Sequence, residues 1–149
     1  MNQDPTYREV QLFRQRWLWI LLGGMALLML VSGPLLWPGL AIIGVVATFL
    51  YSLRLETEVR ADGIYLKLWP IHRSFRQIEW SDIERYESKK YRPLRDFGGW
   101  GIRWAPGKIA YNVSGNQGVW LERRNGGSVL VGSQHVEDFV TAIDEVYED

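Results

Sequence analysis

The chain has 149 residues, with 17 basic and 17 acidic side chains, so its formal net charge is zero. That length admits one ordinary domain and an appendage, not two full domains. The balanced charge removes the electrostatic argument for nucleic acid, and the absence of cysteine excludes disulfides, thiolate metal sites and a cysteine nucleophile. Eight tryptophans and seven tyrosines are many for the length and suit both a membrane interface and a sandwich core.

No charged residue occurs from Trp17 to Leu53, between Arg16 and Arg54. As one helix this run would measure roughly 55 Å at about 1.5 Å per residue, against a hydrocarbon core of about 30 Å. Near its middle, Ser32-Gly33-Pro34-Leu35-Leu36-Trp37-Pro38-Gly39 carries two prolines flanked by glycines, which punctuate a turn. The pattern predicts two transmembrane helices over 17–32 and 36–53, both short for a span, so interfacial aromatics are needed. Trp17, Trp19 and Tyr51 fall at one interface and Trp37 at the other. Arg8, Arg14 and Arg16 precede the first span, Arg54 and Arg60 follow the second, and the turn between them has no Lys or Arg. The positive-inside rule then makes this a multi-pass cell-membrane protein with both termini cytoplasmic. A signal peptide is the weaker alternative: the run is too long and no clean small-x-small site follows it. Gly44, Thr48 and Ser52 recur at i, i+4 and i+8 and predict close packing of the second helix on the first, in preference to dimerisation. Residues 1–16 read as a cytoplasmic flank. Its mixed segment 7–16 either lies in the lipid interface as a helical lead-in or only sets orientation.

After Arg54 the apolar residues alternate. Leu55, Thr57 and Val59 share a face, Asp62-Gly63 signals a hairpin, and Ile64, Leu66 and Leu68 resume the alternation. Further strands are predicted over 75–80 and 83–89, then, beyond an irregular stretch rich in Arg, Pro and Gly, over 100–104, 108–113, 119–123 and 128–131. The turns between them are Ala105-Pro106-Gly107, 114–118 and Asn125-Gly126-Gly127. Val136, Phe139, Val140, Ile143, Val146 and Tyr147 form the apolar stripe of one amphipathic helix, with Ser133 as its expected N-cap. Glu137 and Asp138 suit the positive end of its dipole.

About seven strands followed by one terminal helix is the order of a pleckstrin-homology-like (PH-like) barrel or sandwich. With the Trp80-Ser81-Asp82-Ile83 corner, the segments Gly99-Trp100-Gly101-Ile102-Arg103 and 111–119, and Val131-Gly132-Ser133-Gln134 before the helix, the chain resembles bacterial membrane proteins carrying a PH-like domain after a two-helix hairpin. The resemblance implies an α+β chain with a transmembrane hairpin over 17–53 and a cytoplasmic PH-like domain over 54–149. These motifs are turns and strand positions; they carry no chemistry.

The sequence offers no catalytic, cofactor or metal site. Gly107-Lys108 lacks the spacing and the Ser or Thr of a phosphate loop, and Asn112-Val113-Ser114 reads as a turn rather than a glycosylation acceptor. His72 and His135 have no acid cluster at ligand spacing, and no nucleophile motif appears. The candidate surface is basic: Arg73, Arg76, Lys89, Lys90, Arg92 and Arg95, with Arg85, outnumber Glu79, Asp82, Glu84 and Glu87. It would meet anionic lipid headgroups or a protein segment, and its bland alternative is a solvated loop. Arg103, beside Trp100 and Trp104, would bind an anion or stack on a ring. Glu137, Asp138, Asp144, Glu145, Glu148 and Asp149 make the C-terminus acidic, so a domain polarised between lipid and cytoplasm is expected. The expected function is a membrane-anchored, non-enzymatic module whose partners are membrane lipids or another membrane or cytoplasmic protein, without a cofactor. The alternative is an assembly subunit of a membrane complex that uses its hairpin.

Overall fold

The computed structural model describes residues 4–147. The elements are β1 (Tyr7–Leu12), α1 (Arg16–Val31), α2 (Trp37–Ser52), β2 (Arg54–Arg60), β3 (Gly63–Trp69), β4 (Arg76–Glu79), β5 (Ile83–Lys90), α3 (Pro93–Phe97), β6 (Gly101–Ala105), β7 (Lys108–Asn112), β8 (Gln117–Arg123), β9 (Ser128–Gly132) and α4 (Val136–Tyr147). Short 3-10 turns lie at Pro34–Leu36 and Trp80–Asp82. The chain is α+β, with a four-stranded sheet ordered β1-β2-β3-β4 and a five-stranded sheet ordered β5-β8-β9-β7-β6.

The expected apolar break falls where the prolines sit. Pro34 opens the 3-10 turn, and α2 runs back from Trp37. Trp19 meets Tyr51 edge to face at 6.2 Å, and the Arg14 guanidinium lies 4.2 Å from the centre of the Tyr51 ring. Pro34–Ser52 (19 residues) is long and apolar enough to cross a membrane by length and composition. α1, at 16 residues, is about 24 Å long at about 1.5 Å per residue and falls short of that length, so of the two expected spans one passes by length and composition. The small-residue stripe is also corrected. A Cβ at Gly44 would touch nothing, whereas one at Gly39 would meet Met29 Sδ at 2.7 Å, so the close approach of the helices lies nearer their turn.

The flank expected over 1–16 contains a strand. β1 pairs antiparallel with β2 along its whole length, from Tyr7 opposite Val59 to Leu12 opposite Arg54, and Phe13 N–H donates to the Leu53 carbonyl at 3.1 Å. The domain therefore begins before the helices. They form the connection of a β-hairpin whose two strands lie in one sheet. The helical lead-in fails because the backbone groups of β2 need a partner on that edge, and β1 supplies them.

β2 and β3 form the hairpin that Asp62-Gly63 signals. Gly63 has φ +152, and a Cβ there would collide with the Ile78 carbonyl. The barrel expectation is corrected too. At Trp80–Asp82 the chain leaves the first sheet, and β5 pairs with β8 instead of β4. The two sheets stay open and face each other. Trp80 Nε1–H donates to the Arg60 carbonyl at 3.1 Å, and Arg124 N–H to the Asp82 carbonyl at 2.9 Å, joining their far ends. Within the second sheet β9 lies between β7 and β8, parallel to β7 and antiparallel to β8. Gly118 permits that close pairing, because a Cβ there would strike the Val131 carbonyl.

The core lies between the sheets. Leu55, Val59, Ile64, Leu66 and Leu68 face Val119, Leu121, Val129 and Val131, and α4 closes one side with Phe139, Ala142 and Ile143. Removing such side chains from water is the dominant favourable term in folding. Ser133 is not the residue at which α4 begins. Its hydroxyl accepts His135 N–H at 3.0 Å, and the helix starts at Val136. Glu137 and Asp138 occupy the first turn as expected, whereas Glu148 and Asp149 lie outside the described residues.

Tyr7 stacks on Phe139 with ring centres 5.3 Å apart. Burial holds its hydroxyl well above the usual tyrosine range, opposed by the Ser133 hydrogen bond and reinforced by Glu9. Folding thus favours the neutral phenol. Its contribution is intact below the ordinary tyrosine pKa and declines as pH rises past it. Unfolding free energy measured at about pH 9 and about pH 11 should fall more steeply in the wild type than in Tyr7→Phe. Equal slopes would refute the assignment to Tyr7.

Candidate functional site

The two sheets share one end, from which the helices leave. Leu12, Arg54 and Trp69 lie there in the first sheet. Gln15 Nε2–H donates to the Val113 carbonyl at 3.1 Å, and Gln11 Nε2–H to the Gly132 carbonyl at 2.6 Å, so the β7–β8 connection and the end of β9 lie there as well. Lys90 pairs with Gln117 at the start of β8, and Tyr91 N–H donates to the Asn116 carbonyl at 2.9 Å. This brings α3 to the same end.

The structure gathers most of the predicted basic residues here. Lys89 and Lys90 finish β5, Arg92 and Arg95 flank and occupy α3, and Arg73 lies in the β3–β4 connection that follows Trp69. Arg76 opens β4 beside His72. The same connection touches the second sheet, with the His72 and Tyr111 rings 6.2 Å apart. Burial lowers the His72 pKa, and Arg76 adds to the effect. Arg103 sits mid-strand in β6, and its Nε–H donates to the Trp100 carbonyl at 3.1 Å; among the described residues it neither pairs with an acid nor stacks on a ring.

Ion pairing distinguishes these cations from those on the outer face of the first sheet. On the outer face of the first sheet Glu56 and Glu58 are buried beneath Arg8, Arg54, Arg60 and Lys67, each of which forms an ion pair with one or both of them. Arg85 pairs with Glu122 and Arg123 with Asp82. Among the described residues Arg73, Arg76, Lys89, Lys90, Arg92, Arg95 and Arg103 appear in no ion pair. Their charge is uncompensated by short contacts.

Sequence reasoning missed the apolar side chains among them. Leu94 on α3 is 65 % exposed and Ile71 in the β3–β4 connection 52 %. Leu94, Pro93 and Trp100 line a shallow recess of about 410 Å³ flanked by Arg92 and Arg95. Apolar side chains among unpaired cations make a surface suited to a headgroup layer, where apolar side chains enter the acyl boundary and cations meet phosphates. The helix-end surface is not uniformly basic, since Glu137 and Asp138 open α4 on the same side, while Asp144 lies in the last turn of α4, bonded to the Tyr86 hydroxyl at 2.6 Å. The simple polarity expected from the acidic C-terminus is therefore only partial.

No group of histidine and acidic side chains able to hold a metal occurs among the described residues. Compared with protein-family models, with curated proteins and with solved structures, the chain matches none.

Proposed function

We propose that this chain is a membrane-anchored, non-enzymatic module. In this reading its helical hairpin crosses the cell membrane twice, with both termini cytoplasmic, and its PH-like domain rests the helix end on anionic lipid headgroups. The observation that supports it is the shared location of the unpaired cations and the helix exits. Arg73 arrives from the first sheet and Lys90, Arg92 and Arg95 from the second, yet all lie at the end from which α1 and α2 emerge. Three residues separate Leu12 from α1, and Leu53 alone separates α2 from β2, so no flexible tether holds the domain away from the bilayer. α1 is short for a span. Arg14 before it and Arg16 at its first position, with Trp17 and Trp19 in its first turn, suit a helix whose start lies in the headgroup region.

The PH-like reading is supported by the open pair of sheets and the terminal helix against β1, β2, β5 and β8. A second reading, assembly with other membrane helices, is favoured by the open space around Gly44 on α2. Gly44→Leu would then impair assembly and leave lipid contact intact.

Because the chain has no cysteine, single cysteines report topology without background. Leu35→Cys in the interhelical turn is expected to react with a membrane-impermeant maleimide in intact cells, and Ser81→Cys in the domain only after lysis. Labelling of Ser81→Cys in intact cells would overturn the proposed orientation.

A further inference from the structure

The geometry points to a second binding site, a cleft between α3 and the outer face of the second sheet that takes a phosphomonoester between the ammonium groups of Lys89 and Lys108. It does not rest on the membrane reading, since an anion can enter this cleft from solution. The cleft holds about 380 Å³, enough for a small organic ligand. Its floor is Trp120 and Leu130, which with Tyr91 and Ala110 form a small cluster apart from the main core, packed by Phe97 of α3. Outer sheet faces usually meet solvent. Here a five-residue helix stands over one and leaves a recess beneath it.

Two cations converge on this floor. Lys89 Nζ lies 4.5 Å and Lys108 Nζ 5.4 Å from the centre of the Trp120 ring. One ammonium on an indole face is a common structural contact. Two on the same ring repel each other, and neither lysine belongs to any ion pair among the described residues. The carboxylate that lines the cleft, Asp96, forms no ion pair with either lysine; its Oδ2 accepts Arg92 N–H at 2.8 Å. An oxyanion reaching both ammonium groups relieves that repulsion with charge-assisted hydrogen bonds. A phosphomonoester fits better than a monoanion because its second charge matches the second lysine. The aromatic wall of Tyr91, Phe97 and Trp120 favours an apolar body attached to it. Around Tyr91 and Asp96 the cleft adjoins a wider one of about 590 Å³ lined by Lys90, Arg92 and Arg95, so cations line the approach from the helix end. The ligand is therefore either a dissolved phosphomonoester or the headgroup of a phosphatidic acid.

The test uses the full chain in neutral detergent micelles, titrated calorimetrically with phenyl phosphate at constant ionic strength. Saturable binding is expected, weakened about tenfold by either Lys89→Met or Lys108→Met, as expected for the loss of one charge-assisted hydrogen bond. Both side chains are exposed, and unfolding temperatures of the variants verify that they fold. Arg85→Gln, a cation already paired with Glu122 and outside the cleft, is expected to bind like the wild type. Absence of saturable heat, or lysine variants that bind like the wild type, would overturn the site. A tenfold loss in Arg95→Gln without loss in Lys108→Met would also overturn it, moving the anion to the helix-end surface and leaving the membrane proposal standing. Repeating the titration in nanodiscs assigns the source. Competition by phosphatidic acid but not phosphatidylcholine, lost in Lys108→Met, identifies a lipid headgroup; unchanged phenyl phosphate binding in both identifies a dissolved ligand.

Discussion

Replacing Glu9 by alanine should destabilise the folded domain by about 3 kcal/mol and lower its Tm by roughly 10 °C. Glu9 is only 8 % exposed, on the inward face of β1. Its Oε2 accepts the Ser133 hydroxyl at 2.7 Å and the Tyr7 hydroxyl at 2.8 Å, and its Oε1 accepts Gln134 N–H at 2.8 Å. One carboxylate thereby ties the first strand to the segment that starts α4, more than a hundred residues later. The alanine variant leaves these donors without their acceptor, at about 1–3 kcal/mol for each one that water does not reach. Glu9→Gln keeps the shape and an acceptor oxygen and should lose about half as much. Urea unfolding followed by tryptophan fluorescence measures both, with the exposed Glu84→Ala as a control expected to stay within about 0.5 kcal/mol of the wild type. If Glu9→Ala matched that control, β1 would not be a structural part of the domain.

The second large effect concerns the helix end. Phe13 and Leu53 are hydrogen-bonded partners at the base of the helical insertion, so replacing residues 14–52 with Asn-Gly should close β1 and β2 as an ordinary two-residue hairpin. That shortened chain is expected to fold, stay in solution and sediment with vesicles containing phosphatidylserine. Changing Arg73, Lys90, Arg92 and Arg95 together to glutamine should then weaken partitioning about a thousandfold, from about 1 kcal/mol per cation near an anionic surface. Arg85→Gln, a cation already paired with Glu122, should change it little. Raised salt should reduce binding of the wild-type domain far more than that of the quadruple variant. Equal sedimentation of the two, or equal binding to neutral vesicles, would remove lipid contact from the proposed function.

The reach of the sequence differs from element to element for physical reasons. β2 and β3 are legible because Leu55, Thr57, Val59, Ile64, Leu66 and Leu68 alternate around Asp62-Gly63, and α4 because its stripe is continuous from Val136 to Tyr147. β1 is illegible because its pattern is inverted. The polar Glu9 and Gln11 face inward, bonded to Ser133, Gln134 and Gly132, while Val10 and Leu12 face out. No local rule anticipates partners so remote. α3 is too short to show a period, and the parallel pairing of β7 with β9 depends on long-range geometry that turn residues do not encode. The basic residues were visible as composition. Their meeting was not, since Arg73 and Arg95 come from different sheets, and neither was the convergence of Lys89 and Lys108 on Trp120.

The helical insertion between β1 and β2 has a consequence for biogenesis. Under the proposed topology residues 7–12 leave the ribosome first, yet their ladder partner, residues 54–60, follows the whole membrane segment. The first sheet cannot close until the hairpin has entered the bilayer and returned, so completion of the domain doubles as a checkpoint on insertion. A chain whose hairpin stalled in the translocation channel would present an unzipped β2 edge and orphaned partners of Glu9, and an unpaired edge is a template for aggregation. The finished fold is also tolerant of a nick. A cut at Gly33 would leave two fragments still fastened by the ladder from Tyr7 to Leu12, as a clasp holds a chain whose far link has been opened.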